Sequence, residues 1–152
     1  MREIKFRIWD KANEIIIQDD GHFYITADGD VIGVNDDLDI SESVILMQYT
    51  GLKDRNGKEI YEGDIVKRNF EIGRVVINPI SLGAEDYEID DSGYFIGVVS
   101  YRPSEGYVLN KCKKFNDDDE LQSKKSGVKI YPNHAEVIGN IYENPELLEE
   151  AQ

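Results

Sequence analysis

The chain has 152 residues, of which 40% are hydrophobic, 32% are charged and 10% are aromatic. This length and apolar content suffice for one globular domain or two small subdomains, and they exceed what a disordered polymer carries. The formal net charge is −14 at pH 7, and a polyanion repels nucleic-acid phosphates unless it gathers a local basic face. The composition predicts a folded, acidic protein and argues against direct nucleic-acid binding.

The cysteine content and the absence of long apolar runs indicate where the protein resides. A single cysteine, Cys112, excludes an intramolecular disulfide and a multi-cysteine zinc site, which agrees with a reducing compartment. The start of the chain alternates charged and apolar residues, unlike a signal peptide, and no run approaches membrane-spanning length. We therefore expect a cytoplasmic protein with no membrane partner.

The charges are unevenly distributed along the chain. Residues 51–84 carry six basic and five acidic residues, whereas residues 12–50 carry nine acids and no Lys or Arg. Such asymmetry indicates two parts with different surfaces. The nine acids are Glu14, Asp19, Asp20, Asp28, Asp30, Asp36, Asp37, Asp39 and Glu42.

The first part of the chain predicts a series of short strands. Ile4, Phe6 and Ile8 alternate with Lys5 and Arg7, so one face of an extended strand is apolar. Three β-branched or aromatic runs follow at 14–18, 22–26 and 31–34, separated by Asp-Gly pairs that suit tight hairpin turns. These runs predict an N-terminal β-meander subdomain over residues 1–43, which ends in an acidic loop at 35–43.

The remainder, residues 44–152, is predicted to form a second β subdomain with polar insertions. Asn56-Gly57 favours a hairpin turn, and Gly63 permits a sharp bend before Ile65 and Val66. Further apolar runs predict strands at 44–49, 73–77, 94–101, 107–109, 128–131 and 135–142. Because amphipathic crossover helices are missing, the fold class is all-β, with small barrels or sandwiches.

Two remaining segments are predicted to lie outside the sheets. Asn144 and Pro145 suit the start of a helix, and Glu146 complements its positive end, so a short C-terminal helix should follow. Residues 117–126 begin with four consecutive acids and are predicted to form a solvated, mobile loop.

Candidate reactive residues fail the requirements of the chemistry they suggest. Cys112 lies between lysines that favour a thiolate, but no activating partner is visible, so we expect an inert thiol. Ser126 and Lys129 have the Ser-x-x-Lys spacing of some acyl-transfer enzymes, but they open a predicted strand whose alternation separates them. A calcium loop starting at Asn35 lacks the required glycine and glutamate. No catalytic, cofactor-binding or metal-binding residues are predicted.

Four tyrosines are candidates for a stacking platform that binds single-stranded nucleic acid. Such platforms interleave aromatic side chains with cations, whereas this region contains a cluster of acids at 85–91. We therefore favour packing in the core or at an interface. The tyrosines are Tyr94, Tyr101, Tyr107 and Tyr131.

Three blocks of sequence resemble the YopX family of phage and prophage proteins. They are residues 2–10 (REIKFRIWD), 46–66 (LMQYTGLKDRNGKEIYEGDIV) and 137–147 (VIGNIYENPEL). The blocks lie at the start, middle and end, so the resemblance spans the chain. It implies an N-terminal β subdomain followed by an SH3-like β-barrel, and a symmetric homo-oligomer.

The resemblance implies no activity and supplies no catalytic or ligand-binding residues. It implies structural roles for Gly51, Gly57, Gly63 and Gly139 in turns or close packing, and for Trp9, Tyr49, Tyr61 and Tyr142 in the barrel or an interface. Residues 72–126 depart most from the shared pattern, so any specificity is expected there.

The expected function is that of a non-enzymatic phage or prophage accessory protein in the host bacterial cytoplasm. It would act as a binding or oligomeric assembly module, with itself or an unidentified host or phage protein as partner. The alternative is an acidic mimic of nucleic acid that occupies a host DNA- or RNA-binding protein, because residues 12–50 are uniformly acidic. An enzyme with an unfamiliar site is the third reading.

Overall fold

The structure is a computed structural model that describes residues 3–19, 21–77, 80 and 83–149. It is nearly all β, with about 59% of these described residues in strands and one short α-helix among them. The predicted all-β class and C-terminal helix are therefore confirmed. The elements are β1 (Phe6–Asp10), β2 (Ile15–Gln18), β3 (Phe23–Ile25), β4 (Val31–Gly33), β5 (Val44–Lys53), β6 (Glu59–Tyr61), β7 (Asp64–Ile77), β8 (Ala84–Arg102), β9 (Gly106–Asn116), β10 (Leu121–Lys125), a 3-10 turn (Pro132–His134), β11 (Ala135–Asn140) and α1 (Glu146–Glu149).

The N-terminal sheet has the order β2-β1-β5-β6, with antiparallel neighbours. The β3–β4 hairpin forms a separate two-stranded sheet. Apolar side chains from both sheets meet in one core cluster that contains Ile8, Phe23, Val31 and Val44. Because β5 pairs with both β1 and β6, the N-terminal sheet continues across the predicted boundary after Ser43, and the division into subdomains stays a prediction.

The large sheet has the order β10-β9-β8-β7-β11, again antiparallel throughout. The sheets curl into half barrels; the SH3-like topology stays a prediction. Buried side chains from the large sheet pack with Ile60 of β6 and Ile130 to form the second core cluster. Its buried members are Ile60, Val66, Phe95, Val99, Leu109, Cys112, Ile130, Ala135 and Val137.

The β7–β8 hairpin extends well beyond the strands that flank it. β11 pairs with β7 only over Asp64–Arg68, and β9 pairs with β8 only over Gly93–Arg102. Among the strands of the described ranges, residues 71–77 and 84–92 pair only with each other. We call these two segments the arm, and residues 64–70 and 93–102 the inner half of the hairpin.

The predicted turn at Asn56-Gly57 is confirmed, and a buried aspartate holds it. Gly57 adopts φ +82°, which suits glycine, between β5 and β6. One carboxylate oxygen of Asp54 accepts hydrogen bonds from the backbone N–H groups of Asn56 and Lys58, both at 2.9 Å. The other accepts the N–H of Val137 at 2.9 Å, so the turn is tied to β11. Burial opposes ionisation, but these backbone donors outweigh it and lower the pKa of Asp54.

Two local predictions were wrong. Residues 117–126 do not form only a loop, because Leu121–Lys125 pairs with β9 as an exposed edge strand. Residues 128–131 are not a strand, since only Val128 makes an isolated bridge, to Leu109. Tyr131 then adopts a left-handed backbone with φ 44°, which ends any extended pairing before the 3-10 turn.

Candidate functional site

The arm exposes apolar side chains on a two-stranded ribbon. Four of them, on both strands, are about half exposed: Ile72, Val75, Ile77 and Ile89. An isolated two-stranded hairpin is marginally stable in water, and its outer edges present unpaired backbone donors and acceptors. The arm therefore has two features that another polypeptide can satisfy, namely apolar area and strand edges.

The ion pairs within the arm are weak. Arg74 contacts Glu88 at 2.9 Å and Asp90 at 3.7 Å, and all three side chains are at least half exposed. Exposed pairs of this kind add little stability because water and salt screen them. The sequence of residues 70–92 contains six acids and one arginine, so the region around the arm is acidic.

The inner half, in contrast, begins at a buried ion pair. Arg7 of β1 donates to the carboxylate of Asp64, the first residue of β7, and both side chains are almost fully buried. The second carboxylate oxygen of Asp64 accepts the N–H of Tyr61 at 2.8 Å, and the Arg7 guanidinium lies 4.5 Å from the Tyr61 ring centroid. Burial raises the pKa of Asp64, and the charge of Arg7 opposes that rise. This pair joins the N-terminal sheet to the large sheet.

A cavity of about 720 Å³ opens where the arm meets the inner half. β7, β8, β9, β10 and the segment around the 3-10 turn all contribute to its wall. Its basic and aromatic lining residues are Arg68, Phe70, Phe95, Lys114, Lys125, Tyr131 and His134. The chain thus gathers cations and rings that are far apart in sequence, although its net charge is −14.

Arg68 is the most buried cation of this cavity, with 7% of its surface exposed. Its Nη1 donates to the carbonyl oxygen of Lys129 at 2.8 Å, but its Nε has no hydrogen-bond partner. The guanidinium carbon lies 4.9 Å from the ring centroid of Phe95 and 5.0 Å from that of Tyr131. Burial lowers the pKa of Arg68 from its ordinary value. No carboxylate within the described ranges forms an ion pair with it.

The predicted inert thiol is buried under the inner half. Cys112 is 1% exposed, and its Sγ donates to the carbonyl oxygen of Leu109 at 3.2 Å. Burial raises the pKa of Cys112 to about 11, although the charge of Arg68 acts in the opposite direction. The neighbouring lysines of the sequence therefore do not activate this thiol.

The other sequence candidates accept hydrogen bonds from backbone N–H groups. Ser126 Oγ accepts the backbone N–H of Lys111 at 3.3 Å. Asp39, in the failed calcium loop, accepts the N–H of Ser41 at 2.9 Å, and hydrogen bonds from Ser41 lower the pKa of Asp39. Across residues 3–19, 21–77, 80 and 83–149, no three His, Cys, Asp or Glu side chains cluster closely enough to hold a metal ion.

The four candidate tyrosines do not form one platform. Tyr94 stacks on Phe115 at 4.9 Å and donates its hydroxyl to Asp119 at 2.7 Å. Tyr101 packs edge-on against Tyr107, with ring centroids 5.3 Å apart. Of the four, Tyr131 alone lines the cavity beside Arg68.

The aromatic residues of the resembling blocks pack in pairs. Trp9 stacks on Tyr142 with centroids 5.7 Å apart, and Tyr49 tilts against Tyr61 at 5.4 Å. Tyr49 and Tyr61 are buried. The two rings of each pair contact each other within the chain. This geometry agrees with the predicted role of these residues in packing.

The acids of residues 12–50 lie on the surface. All eight that the structure describes are exposed, and Asp20 lies outside the described residues. Because this stretch contains no Lys or Arg, none of its own side chains neutralises them. In the described ranges, no helix is both long and apolar enough to cross a membrane.

Comparison with known proteins identifies the family. The family model described as YopX protein matches residues 5–149. Among solved structures, the chain is similar to protein EF1440 from Enterococcus faecalis, with 24% identity, 97% of this chain and 99% of that chain covered, and a TM-score of 0.49. No curated protein matches the chain. Since the matched region covers nearly the whole sequence, the chain belongs to the YopX family.

Proposed function

We propose that the chain is a non-enzymatic assembly module of a phage or prophage, which acts in the bacterial cytoplasm and forms homo-oligomers through its arm. The observation that carries this proposal is the exposed, apolar, two-stranded extension of β7 and β8. Contiguous exposed apolar surface marks interaction sites in soluble proteins. Unpaired strand edges add a backbone template for such an interaction.

We assign a second copy of the chain as the partner of the arm, because each copy presents the same strand edges and apolar side chains. Two copies related by a twofold axis can place equal strand edges side by side, which extends the ribbon and covers apolar side chains from both. The acidic side chains of residues 70–92 repel each other in such a pair. We therefore expect salt to strengthen self-assembly, since screening weakens this repulsion more than it weakens apolar contact.

Light scattering coupled to gel filtration tests the proposal. The wild-type mass should be at least twice the chain mass of 17.4 kDa, and the double variant Val75→Ser, Ile77→Ser should shift toward the monomer. The matched control is Ile15→Ser, Leu38→Ser, which removes apolar side chains of similar exposure outside the arm and should leave the mass unchanged. A wild-type monomer at about 100 µM chain, where a micromolar dimer would be formed, would overturn the proposal.

The second candidate function is mimicry of a nucleic-acid backbone. It is favoured by the eight exposed acids in the described part of residues 12–50, a stretch that contains no Lys or Arg. The partner would be a basic host DNA- or RNA-binding protein, and salt would weaken that complex. Pull-down from bacterial lysate should recover basic nucleic-acid-binding proteins at low salt and release them at high salt. Recovery of no nucleic-acid-binding protein at low salt would contradict mimicry. Salt should weaken the complex of a mimic but strengthen assembly through the arm, so the salt response distinguishes the two functions.

A further inference from the structure

The cavity beside Arg68 has a chemistry that neither proposed function uses. Its volume of about 720 Å³ lies in the range of small-molecule sites, which combine apolar and aromatic walls with a few polar groups. Arg68 and Phe70 of the inner half and Ile72 at the base of the arm alternate along β7 and all line the cavity. The cavity is therefore large enough for a small ligand, and four of its lining residues, Ile72, Phe95, Lys114 and Lys125, lie within residues 72–126.

Arg68 forms no direct ion pair with a carboxylate in the described chain. A buried charge is costly unless it is paired and hydrogen-bonded, and Arg68 has one hydrogen bond and an unpartnered Nε. Two aromatic rings within about 5 Å offset part of this cost. An anionic ligand in the cavity would supply the missing counter-charge, and a guanidinium presents donors suited to phosphate oxygens.

The other titratable groups of the cavity leave a positive balance. Lys125 of β10 lies 6.0 Å from the Phe95 ring and forms no ion pair within the described ranges. Lys114 is paired with Asp91 at 3.1 Å, and Glu71 and His134 also line the wall. With Lys114 neutralised by Asp91, Arg68 and Lys125 face the single carboxylate of Glu71.

The aromatic side chains favour a ligand with a flat ring. Both Tyr131 and Phe95 line the cavity, but Tyr131 is 52% exposed whereas Phe95 is buried. Stacking of a base on such an exposed ring is worth about 1–3 kcal/mol in nucleic-acid-binding proteins. A long strand would meet the repulsion of a chain with net charge −14, whereas a single phosphate meets far less of it.

We propose that this cavity binds a nucleoside monophosphate, with the phosphate at Arg68 and Lys125 and the base on Tyr131. Glu71 and Ile72 at the base of the arm line the cavity, but Val75 and Ile77 farther along the arm do not. Binding should therefore persist in the Val75→Ser, Ile77→Ser variant.

Calorimetric titration at low salt with AMP, GMP, CMP and UMP tests the proposal. At least one should bind with a dissociation constant below about 1 mM, and its nucleoside and inorganic phosphate should each bind about ten-fold more weakly. Lys125→Gln and Tyr131→Ala should each weaken binding about five-fold. The matched control Lys124→Gln removes the same charge from the same strand outside this cavity and should change affinity less than about two-fold.

Arg68→Lys tests the buried cation separately, with its melting curve recorded to show that the variant folds. A folded Arg68→Lys variant should lose most of the binding, since an ammonium cannot reproduce the guanidinium donors. If Arg68→Lys does not fold, Lys125→Gln and Lys124→Gln decide the question. No binding of any of the four nucleotides, equal binding of inorganic phosphate, equal losses in the two lysine variants, or tighter binding of a ten-residue oligothymidylate would overturn the proposal.

Discussion

The inner half of the β7–β8 hairpin and its arm share one antiparallel ladder but lie in different surroundings. Val66 in the inner half is fully buried, whereas Val75 in the arm is 52% exposed, on the same strand. The difference arises because β9 and β11 flank only the inner half. Strand pairing alone therefore does not create a core; flanking strands and a covered face do. The arm keeps the strand pattern of a core element without its cover, which is why we assign it to assembly.

The largest expected contrast in stability is between two ion pairs, the buried pair of Arg7 with Asp64 and the exposed pair of Arg74 with Glu88. Asp64→Ala leaves Arg7 buried without its counter-charge and should lower the free energy of unfolding by about 3–5 kcal/mol. Glu88→Ala removes an exposed partner of Arg74 and should change the free energy of unfolding by less than about 0.5 kcal/mol. Urea denaturation of both variants measures this difference. Equal losses would show that the arm is held as firmly as the inner half.

The same substitution at two valines of β7 gives the next contrast. Val66→Ala removes two methyl groups from the core of the large sheet and should cost about 2–3 kcal/mol of unfolding free energy. Val75→Ala should cost less than about 0.5 kcal/mol in dilute solution, because its side chain already contacts water. Thermal and urea unfolding of both variants check this. A large loss from Val75→Ala in the monomer would mean that the arm packs on its own chain.

The smallest contrast concerns the pH response of the thiol beneath the inner half. Because the folded pKa of Cys112 is about 11, the unfolded thiol ionises first as pH rises from 9. The stabilisation that the buried, protonated thiol contributes is therefore complete below pH 9. It falls as the pH rises from 9 to 11, and by pH 11 the loss of unfolding free energy is about 2 kcal/mol. Cys112→Ala should show a correspondingly flatter decline in this window.

The reactivity of the thiol offers an independent check of its burial. Native Cys112 should react with Ellman's reagent at pH 8 far more slowly than the urea-unfolded chain, because the inner half covers it and little thiolate is present. Fast native reaction would contradict the packing of β8 on β9 at this position. The close approach at Gly97, where a Cβ would lie 2.5 Å from the Cys112 Sγ, explains why the cover is tight.

Local signals in the sequence predicted much of the fold. Alternation of apolar residues located β1 and the inner half, and Asn56-Gly57 located the β5–β6 turn. The segment at 121–125 was missed because an exposed edge strand needs no apolar face, so its polar sequence resembles a loop. The strand predicted at 128–131 was wrong because Tyr131 adopts a left-handed backbone, which the alternation of apolar residues does not signal.

The candidate sites were harder to predict than the fold. The cavity combines Arg68, Phe95, Lys125 and Tyr131, which come from separate elements, so no local motif signals it. The net charge of −14 gives no sign of the cations in this cavity, because a net charge is summed over the whole chain. The sequence does not indicate that the arm is exposed either, since its apolar residues follow the same alternation as those of a buried strand. Only the end points of β9 and β11 show that it lacks cover.

Hydrogen–deuterium exchange at two protein concentrations tests the assembly role of the arm most directly. On raising the concentration from about 1 µM to about 100 µM, exchange should slow at 71–77 and 84–92 and stay constant in the inner half. The Val75→Ser, Ile77→Ser variant should lose this concentration dependence. Exchange in the arm that is the same at both concentrations would contradict the assignment of the arm to self-assembly.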